Sequence, residues 1–222
     1  MNQIRSKLMD AIGRNCRKPE ATILGRLVKK VGLEKKNGFI EIEAVRLSDI
    51  HPDHQVLEIG FGPGIGIEAA YNIIKGGKGK VYGVDFSEEM VLSTTKRLGK
   101  GLGNGKVKLI NGDVENMSFL QSNTFDRVFH CNCYYFWPDM TKAMNELHRV
   151  MKPGAIMVTA MNYERVMRLN STGFFKKYGN PNQDRYLSAL ESCGFDGVEL
   201  KKFKHGSTGA NLEAIIAKKS EK

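Results

Sequence analysis

Short apolar runs alternate with amphipathic segments along residues 55–218, and this alternation predicts strands and helices in turn. The predicted strands are Gln55–Ile59, Lys80–Val84, Lys106–Ile110, Phe125–Cys131, Ala155–Met161, Gly197–Lys204 and Ala210–Lys218. The predicted helices between them are Ile67–Lys75, Ser87–Leu98, Asp139–Met151 and Gln183–Cys193. Strands that alternate with helices predict an α/β fold, with a doubly wound, mostly parallel sheet and helices on both of its faces.

The two ends of the chain add to this core. Apolar residues recur at helical spacing through Pro19–Val31, with Gly32 as the expected end of that helix, and a second helix is predicted from Gly38 to Asp49. These segments predict an N-terminal helical cap over residues 1–50. The last two strands are joined by five residues, which is short enough for an antiparallel hairpin. Because the sequence has neither internal repeats nor a low-complexity linker, we expect a single domain over residues 1–222.

The strongest chemical signal is a glycine-rich stretch that follows the first predicted strand. Gly60, Gly62, Gly64 and Gly66 stand at every second position there, ahead of a predicted helix. Glycine permits backbone turns with positive φ, and without a Cβ it lets a ligand lie against the backbone. Such a loop predicts a nucleotide or nucleoside site, although several classes of enzyme use one.

Composition and charge limit the possible classes of protein. The chain has 222 residues, is 41% hydrophobic and carries a net charge of +10, of which residues 1–37 contribute +7. No apolar run approaches the ~18–20 residues that span a membrane, and residues 1–20 lack the apolar region of a secretory signal. The four cysteines form no C-x-x-C pair, so a reduced, cytoplasmic location is expected. The basic N-terminal arm could steer an anionic partner, although a solvated helix face explains it more simply.

Two carboxylates follow the next strands at positions where a ligand would lie. Asp85 ends the second predicted strand, 21 residues after Gly64, and Asp113 follows the third. Ligands of open parallel sheets bind at the carboxyl ends of the strands. A carboxylate there can accept hydrogen bonds from both hydroxyls of a ribose, and an acidic group at Asp113 can meet an adenine amino group while Val114 covers the ring.

Five segments in this order resemble the class I S-adenosylmethionine-dependent methyltransferases, particularly the small single-domain UbiE-like enzymes. The segments are Glu58–Gly64, Gly83–Met90, Asn111–Val114, Phe125–Val128 and Glu146–Gly154. The resemblance implies a seven-stranded sheet whose last strand is antiparallel, a cofactor-binding core over residues 51–162, and an acceptor-side insertion with closing strands over residues 163–222. It also implies S-adenosylmethionine as the cofactor and no metal ion.

Carried over by motif position, the resemblance implies a set of cofactor-binding residues: Glu58, Gly60, Phe61, Gly62, Gly64, Asp85, Phe86, Met90, Asp113, Val114 and Cys131. In that set Glu58 would help to hold the amino group of the methionine portion. Asp85 would bind the ribose, with Phe86 and Met90 beside the adenine, and Cys131 would approach the methionine end through its backbone.

The acceptor side is expected after the fourth strand and in the two additions to the core. His130, Tyr134 and Tyr135 are the candidate catalytic residues, His130 as a general base because its ordinary pKa suits that role. Phe136 and Trp137 are expected to pack inside the protein instead. The aromatic and cationic residues of the irregular segment 162–181 favour a small acceptor that is anionic or aromatic. Cys131 and Cys133 could bind trivalent arsenic, but that chemistry needs a further thiol.

Other functions remain open at this point. An RNA or protein methyltransferase could use the basic arm, although residues 132–135 lack the Asn/Asp-Pro-Pro-aromatic motif of nucleic-acid enzymes. An NAD-dependent oxidoreductase could also bind the ribose of its cofactor through Asp85. Such an enzyme would need a tyrosine–lysine catalytic pair, but Met167 stands four residues after Tyr163, where the lysine would be. A binding protein without activity is disfavoured by the intact Glu58, Asp85 and Asp113.

Overall fold

The computed structural model describes residues 2–99, 105–175 and 177–221. Its seven strands are β1 Gln55–Ile59, β2 Lys80–Asp85, β3 Val107–Asn111, β4 Phe125–Cys131, β5 Met151–Met161, β6 Phe195–Lys204 and β7 Asn211–Lys219. The order across the sheet is β3-β2-β1-β4-β5-β7-β6. The pairs from β3 to β5 are parallel, and β7 is antiparallel to both β5 and β6. The predicted doubly wound, seven-stranded sheet with an antiparallel last strand is therefore confirmed.

Helices flank the sheet and extend over its carboxyl edge. They are α1 Asn2–Arg17, α2 Ile23–Leu27, α3 Lys36–Leu47, α4 Ile65–Ile74, α5 Glu88–Leu98, α6 Met140–Val150, α7 Tyr163–Ser171 and α8 Gln183–Ser192. A π-helix, Val28–Lys35, joins α2 to α3 without interruption. None of the helices among the described residues is long and apolar enough to cross a membrane.

Successive side chains of the strands enter two cores, one on each face of the sheet. Val56 packs with residues of α3 and α4 such as Ile40 and Ile67, whereas its neighbour Leu57 packs with residues of α6 and α8 such as Leu147. This alternation follows from the two-residue period of a strand. Burial on both faces explains why the central strands show apolar runs in the sequence.

Two expectations about the segments outside the sheet are wrong. Gly32 does not end a helix, because it lies inside the π-helix, and the helical run continues to Leu47. The helical cap expected over residues 1–50 also contains α1, a helix ahead of Pro19 that the sequence analysis did not name. Residues 162–181, expected to be irregular, contain α7, in which the Asn162 side chain accepts a hydrogen bond from the Arg165 N–H and caps the first turn.

The strand order places a crevice at the carboxyl edge of the sheet. Chain connections run outward in both directions from β1 and β4, which lie side by side. The loops after these two strands therefore diverge, and ligands of doubly wound sheets bind at such a point. The glycine-rich loop follows β1, and residues 132–138 follow β4.

Candidate functional site

A single cavity occupies the crevice above β1, β2, β3 and β4, and it encloses about 900 Å³ including its opening to solvent. Its floor comes from the loops after these strands: Gly60, Gly62, Pro63, Asp85, Phe86, Gly112, Asp113, Val114, Cys131, Asn132 and Cys133. Its roof comes from the N-terminal helical cap: Cys16, Arg17, Pro19, Leu33, Asn37 and Glu41. Met90 and the segment 136–138 complete the walls.

Most of the residues predicted to bind the cofactor line this cavity. They are Gly60, Gly62, Asp85, Phe86, Met90, Asp113, Val114 and Cys131. Three others do not line it: Phe61 is fully buried behind the loop, Gly64 precedes the first turn of α4, and Glu58 is buried beneath the loop. The individual roles of all these residues stay predictions.

The glycine loop has the backbone geometry that its sequence predicts. Gly60, Gly62 and Gly64 all have positive φ, at 64°, 50° and 80°. A Cβ built on Gly62 would meet only the Gly60 carbonyl, at 3.9 Å, so that side of the loop faces open cavity. The Thr94 hydroxyl donates a hydrogen bond of 2.9 Å to the Gly62 carbonyl and ties the loop to α5.

Asp85 connects the glycine loop to the start of α5. Its Oδ2 accepts a hydrogen bond of 2.9 Å from the Gly62 N–H, and its Oδ1 accepts one of 2.9 Å from the Ser87 N–H. Burial raises the pKa of Asp85 to about 6, although both backbone N–H groups and the Lys18 charge oppose that shift. Each carboxylate oxygen keeps a second lone pair, so Asp85 can accept further hydrogen bonds from a ligand.

Glu41 and Glu58 place two more buried carboxyl groups near this loop. Glu41, on α3, accepts a hydrogen bond of 3.0 Å from the Gly66 N–H, and burial raises its pKa to about 8. Burial and the charges of Glu41 and Asp85 raise the pKa of Glu58 well above its ordinary value. Among the described residues, Glu58 Oε2 is the one buried side-chain oxygen or nitrogen without a hydrogen-bond partner. Such a group indicates a site that is completed by another molecule.

Two of the four aromatic residues after β4 do not lie where the sequence predicted. Phe136 and Trp137 line the cavity, whereas Tyr134 and Tyr135 pack in the core beneath it. The Tyr134 hydroxyl donates to the Pro181 carbonyl at 3.4 Å, and the Tyr135 ring packs edge-on against Phe175. Phe136 and Trp137 pack against the core as expected, and in addition they form part of the cavity wall. Tyr134 and Tyr135 have no access to the cavity from which to act as catalytic residues.

His130 is a core residue and does not line the cavity. Its Nε2 lies 2.9 Å from the Tyr186 hydroxyl and 2.8 Å from the Thr159 hydroxyl, and these two hydroxyls also bond to each other. Burial lowers the pKa of His130 to about 3, so the ring is neutral at physiological pH. The structure thus removes the geometric basis for predicting His130 as the general base.

Three of the four cysteines line the cavity, which the sequence predicted for Cys131 and Cys133 but not for Cys16. The Cys131 and Cys133 thiols donate long hydrogen bonds to the Ile40 and Ile59 carbonyls, and burial raises the pKa of both thiols. In the part of the chain that the structure describes, no three cysteine, histidine or acidic side chains group closely enough to bind a metal ion. The cavity wall therefore contains the third thiol that the arsenic hypothesis requires, that of Cys16, but among the described residues the three thiols do not form a metal-binding cluster.

The sequence placed the N-terminal addition on the acceptor side but identified no individual residue of the roof. Glu41 lies within the apolar stretch Phe39–Val45, and an acidic residue on the buried face of a helix was the signal that could have identified it. No local signal marks Cys16, Leu33 or Asn37, because only tertiary packing places the cap above the sheet.

Comparisons with known proteins agree with this architecture. Residues 56–154 match the family described as methyltransferase domain. The Bacillus subtilis protein YdaC, described as an uncharacterized methyltransferase, is 35% identical over 148 residues, which are 66% of this chain and 74% of YdaC. The demethylmenaquinone methyltransferase of Bacillus cereus is 26% identical over 196 residues, covering 77% of this chain and 81% of that enzyme. A SAM-dependent methyltransferase structure from Aquifex aeolicus has a TM-score of 0.65 at 23% identity, covering 87% of this chain and 97% of that one.

The chain belongs to the S-adenosylmethionine-dependent methyltransferases. This membership confirms the resemblance noted in the sequence and excludes an NAD-dependent oxidoreductase. The residues present also fit the cofactor, because its sulfonium and ammonium groups are cations. A bound cation favours the ionised form of the buried carboxyl groups of Glu41 and Asp85, which line the cavity, and of Glu58 beneath the loop. The only lysine or arginine among the residues that line the described cavity is Arg17.

Replacing Glu41 with glutamine should stabilise the cofactor-free protein at pH 8 more than at pH 5. The pKa of Glu41 is raised in the folded state, so the unfolded chain loses its proton first, and stability falls as the pH rises from about 4.5 to about 8. Glutamine keeps an acceptor for the Gly66 N–H but cannot ionise. We expect a gain on the order of 2 kcal/mol at pH 8 and little at pH 5.

Urea unfolding at the two pH values measures this difference. Glu191→Gln, at an exposed position on α8, is the matched control and should change stability equally at both. A Glu41→Gln variant whose stability gain does not depend on pH would contradict the assignment.

Proposed function

We propose that the protein transfers the methyl group of S-adenosylmethionine to a small molecule that binds between the cap and the loop after β4. The observation that carries this proposal is the roof: six residues between positions 16 and 41 line the cavity on the side opposite its floor. A folded RNA or a protein surface would need a more open site. The relatives named demethylmenaquinone methyltransferase support a small acceptor as well.

The floor of the cavity suits the cofactor in three respects. Positive-φ glycines leave room against the backbone, Asp85 can accept hydrogen bonds from a ribose, and Asp113 and Val114 lie beside them for an adenine. When bound there, the cofactor supplies an activated methyl group on a cationic sulfur. Beside that positive charge the buried carboxyl groups of Glu41, in the roof, and Glu58, beneath the loop, would ionise more readily than in the cofactor-free protein.

Phe136 and Trp137 provide an apolar wall for the acceptor, and Arg17 adds a positive charge above it. An aromatic wall excludes water and orients a planar group by contact with the ring faces. Methyl transfer is an in-line displacement, for which holding the acceptor in line supplies much of the acceleration. We infer an acceptor with a planar or aromatic part and an anionic or polar group.

RNA and protein are the alternative acceptors. The basic N-terminal arm could bind RNA, but its last turn contributes Cys16 and Arg17 to the cavity wall. Methylation of a protein would require a peptide side chain to pass under the same roof. A cytoplasmic location stays a prediction, based on four cysteines that are all unpaired.

Labelled methyl transfer tests the proposal. The enzyme is incubated with methyl-labelled S-adenosylmethionine and, separately, a metabolite extract, total RNA and total protein from the same cells. We expect label in the metabolite fraction. Label that enters only RNA or protein would refute a small acceptor.

A Trp137→Leu variant should raise the KM for the labelled acceptor by ~10-fold or more, because it removes the larger part of the aromatic wall. The dissociation constant for S-adenosylmethionine, measured by calorimetric titration, should change by less than about twofold, since the variant leaves Asp85 and the glycine loop intact. An unchanged KM would place the acceptor elsewhere.

A further inference from the structure

The outward face of the N-terminal cap carries apolar side chains that nothing in the described structure covers. Ile23 is 88% exposed, Leu27 57% and Val31 38%, and the three follow one another at intervals of four residues along α2 and the π-helix. Ile23 and Leu27 are the two most exposed large apolar residues of the described chain. Isolated exposed apolar residues are ordinary, but a row of three along one helical run is a surface feature.

Basic residues flank this row, and they are free of partners. Arg26, Lys30, Lys35 and Lys36 are exposed, and none of the four has an ion-pair or hydrogen-bond partner for its side chain among the described residues. Residues 21–37 contain five lysines or arginines and a single acidic residue, Glu34, which pairs with Arg97. The face therefore combines uncovered apolar groups with uncompensated positive charge.

We propose that this docking face, formed by Ile23, Arg26, Leu27, Lys30 and Val31, binds the surface of an anionic lipid bilayer. A helix with apolar residues on one face and flanking lysines or arginines lies in the lipid interface, with the apolar side chains inserted and the cations near the headgroups. The charge complementarity favours anionic lipid over a second copy of this chain, whose cap would bring the same positive charge to the contact.

The position of the docking face relates it to the cavity. Leu33 and Asn37 continue the same helical run and line the cavity roof, and Pro19 lines it just before the run begins. A bilayer on this face would therefore lie beside the wall of the site. The proposal concerns a surface and holds whether or not the small-molecule acceptor of the proposed function is correct.

Sedimentation of the full chain with lipid vesicles tests the proposal. We expect binding to vesicles that mix phosphatidylglycerol with phosphatidylcholine to be ~10-fold stronger than to phosphatidylcholine alone, and to weaken at high salt. The double variant Ile23→Ser/Leu27→Ser should lose most of this binding. Leu92→Ser is the matched control, because Leu92 is 52% exposed on α5 and lies outside the docking face.

Each other result would overturn the proposal. Equal binding of the double variant and of the unchanged protein would show that the face is not used. Equal binding to neutral and anionic vesicles would remove the role of the cations. If the unchanged protein and Leu92→Ser are dimers in size-exclusion chromatography and the double variant is a monomer, the face binds a second copy of the chain. If the unchanged protein forms a complex with RNA and the double variant does not, the face binds nucleic acid. Calorimetric titration with S-adenosylmethionine confirms that the variants are folded.

Discussion

Asp85→Ala should weaken the binding of S-adenosylmethionine by ~100-fold or more, the largest loss expected for any single change on the cavity floor. The carboxylate holds the Gly62 and Ser87 N–H groups, and alanine leaves both of these backbone donors unpaired. The variant also removes the expected acceptor for the ribose hydroxyls. Calorimetric titration measures the affinity, and Asp184→Ala, at an exposed position on α8, is the control.

The same residue predicts how binding depends on pH. Because burial raises the pKa of Asp85 to about 6, the cofactor-free protein protonates this group as the pH falls below that value. A protonated carboxyl accepts hydrogen bonds less well, so affinity should strengthen as the pH rises through about 6. An Asp85→Asn variant should lose this dependence. Wild-type affinity that remains constant between pH 5 and pH 8 would contradict a ribose role for Asp85.

Gly64→Ala should destabilise the fold by ~3 kcal/mol, because two independent effects act at this position. Gly64 has φ = 80°, a conformation that side chains with a Cβ rarely adopt. A Cβ there would also lie 2.8 Å from the Thr94 hydroxyl oxygen and closer still to its methyl carbon. Thr94 would have to move, and its hydrogen bond to the Gly62 carbonyl would be lost.

Urea unfolding measures the loss of stability, and Gly76→Ala is the matched control. A Cβ at Gly76 would meet nothing within 4 Å, and the φ of this residue is not positive, so its stability should barely change. In a Thr94→Ala background the Gly64→Ala change should cost less, since the contacts with the Thr94 hydroxyl and methyl are gone and only the backbone strain and a 3.0 Å contact with the Cβ of residue 94 remain. Equal effects of Gly64→Ala and Gly76→Ala would refute the argument.

Much of the fold could be predicted from the sequence because the sheet is buried on both faces. The first and fourth strands, Gln55–Ile59 and Phe125–Cys131, have the predicted bounds, and β7 is antiparallel as expected. The polar helices were harder to predict. α1 was missed and α7 was expected to be irregular, because their apolar positions are few and much of their support comes from packing against the rest of the molecule.

The candidate site also has one part that could be predicted from the sequence and one part that could not. The cofactor side is encoded in short local motifs, so Asp85, Asp113 and the glycines could be proposed from spacing alone. The acceptor side depends on how the chain turns after β4, where Asn132 has φ = 50° and residues 134–136 form a single 3₁₀ turn. That turn directs Tyr134 and Tyr135 into the core, and Phe136 and Trp137 to the cavity, an orientation that no periodicity in the sequence predicts.

The floor and the roof of the cavity come from separate stretches of the polypeptide. The family match spans residues 56–154, whereas the roof is built from residues 16–41. Roof positions other than Glu41, which holds the Gly66 N–H, can therefore change with little effect on the floor. Two descendants of one ancestral gene could keep the same methyl donor and diverge in what they methylate, simply by exchanging a few residues ahead of the first strand.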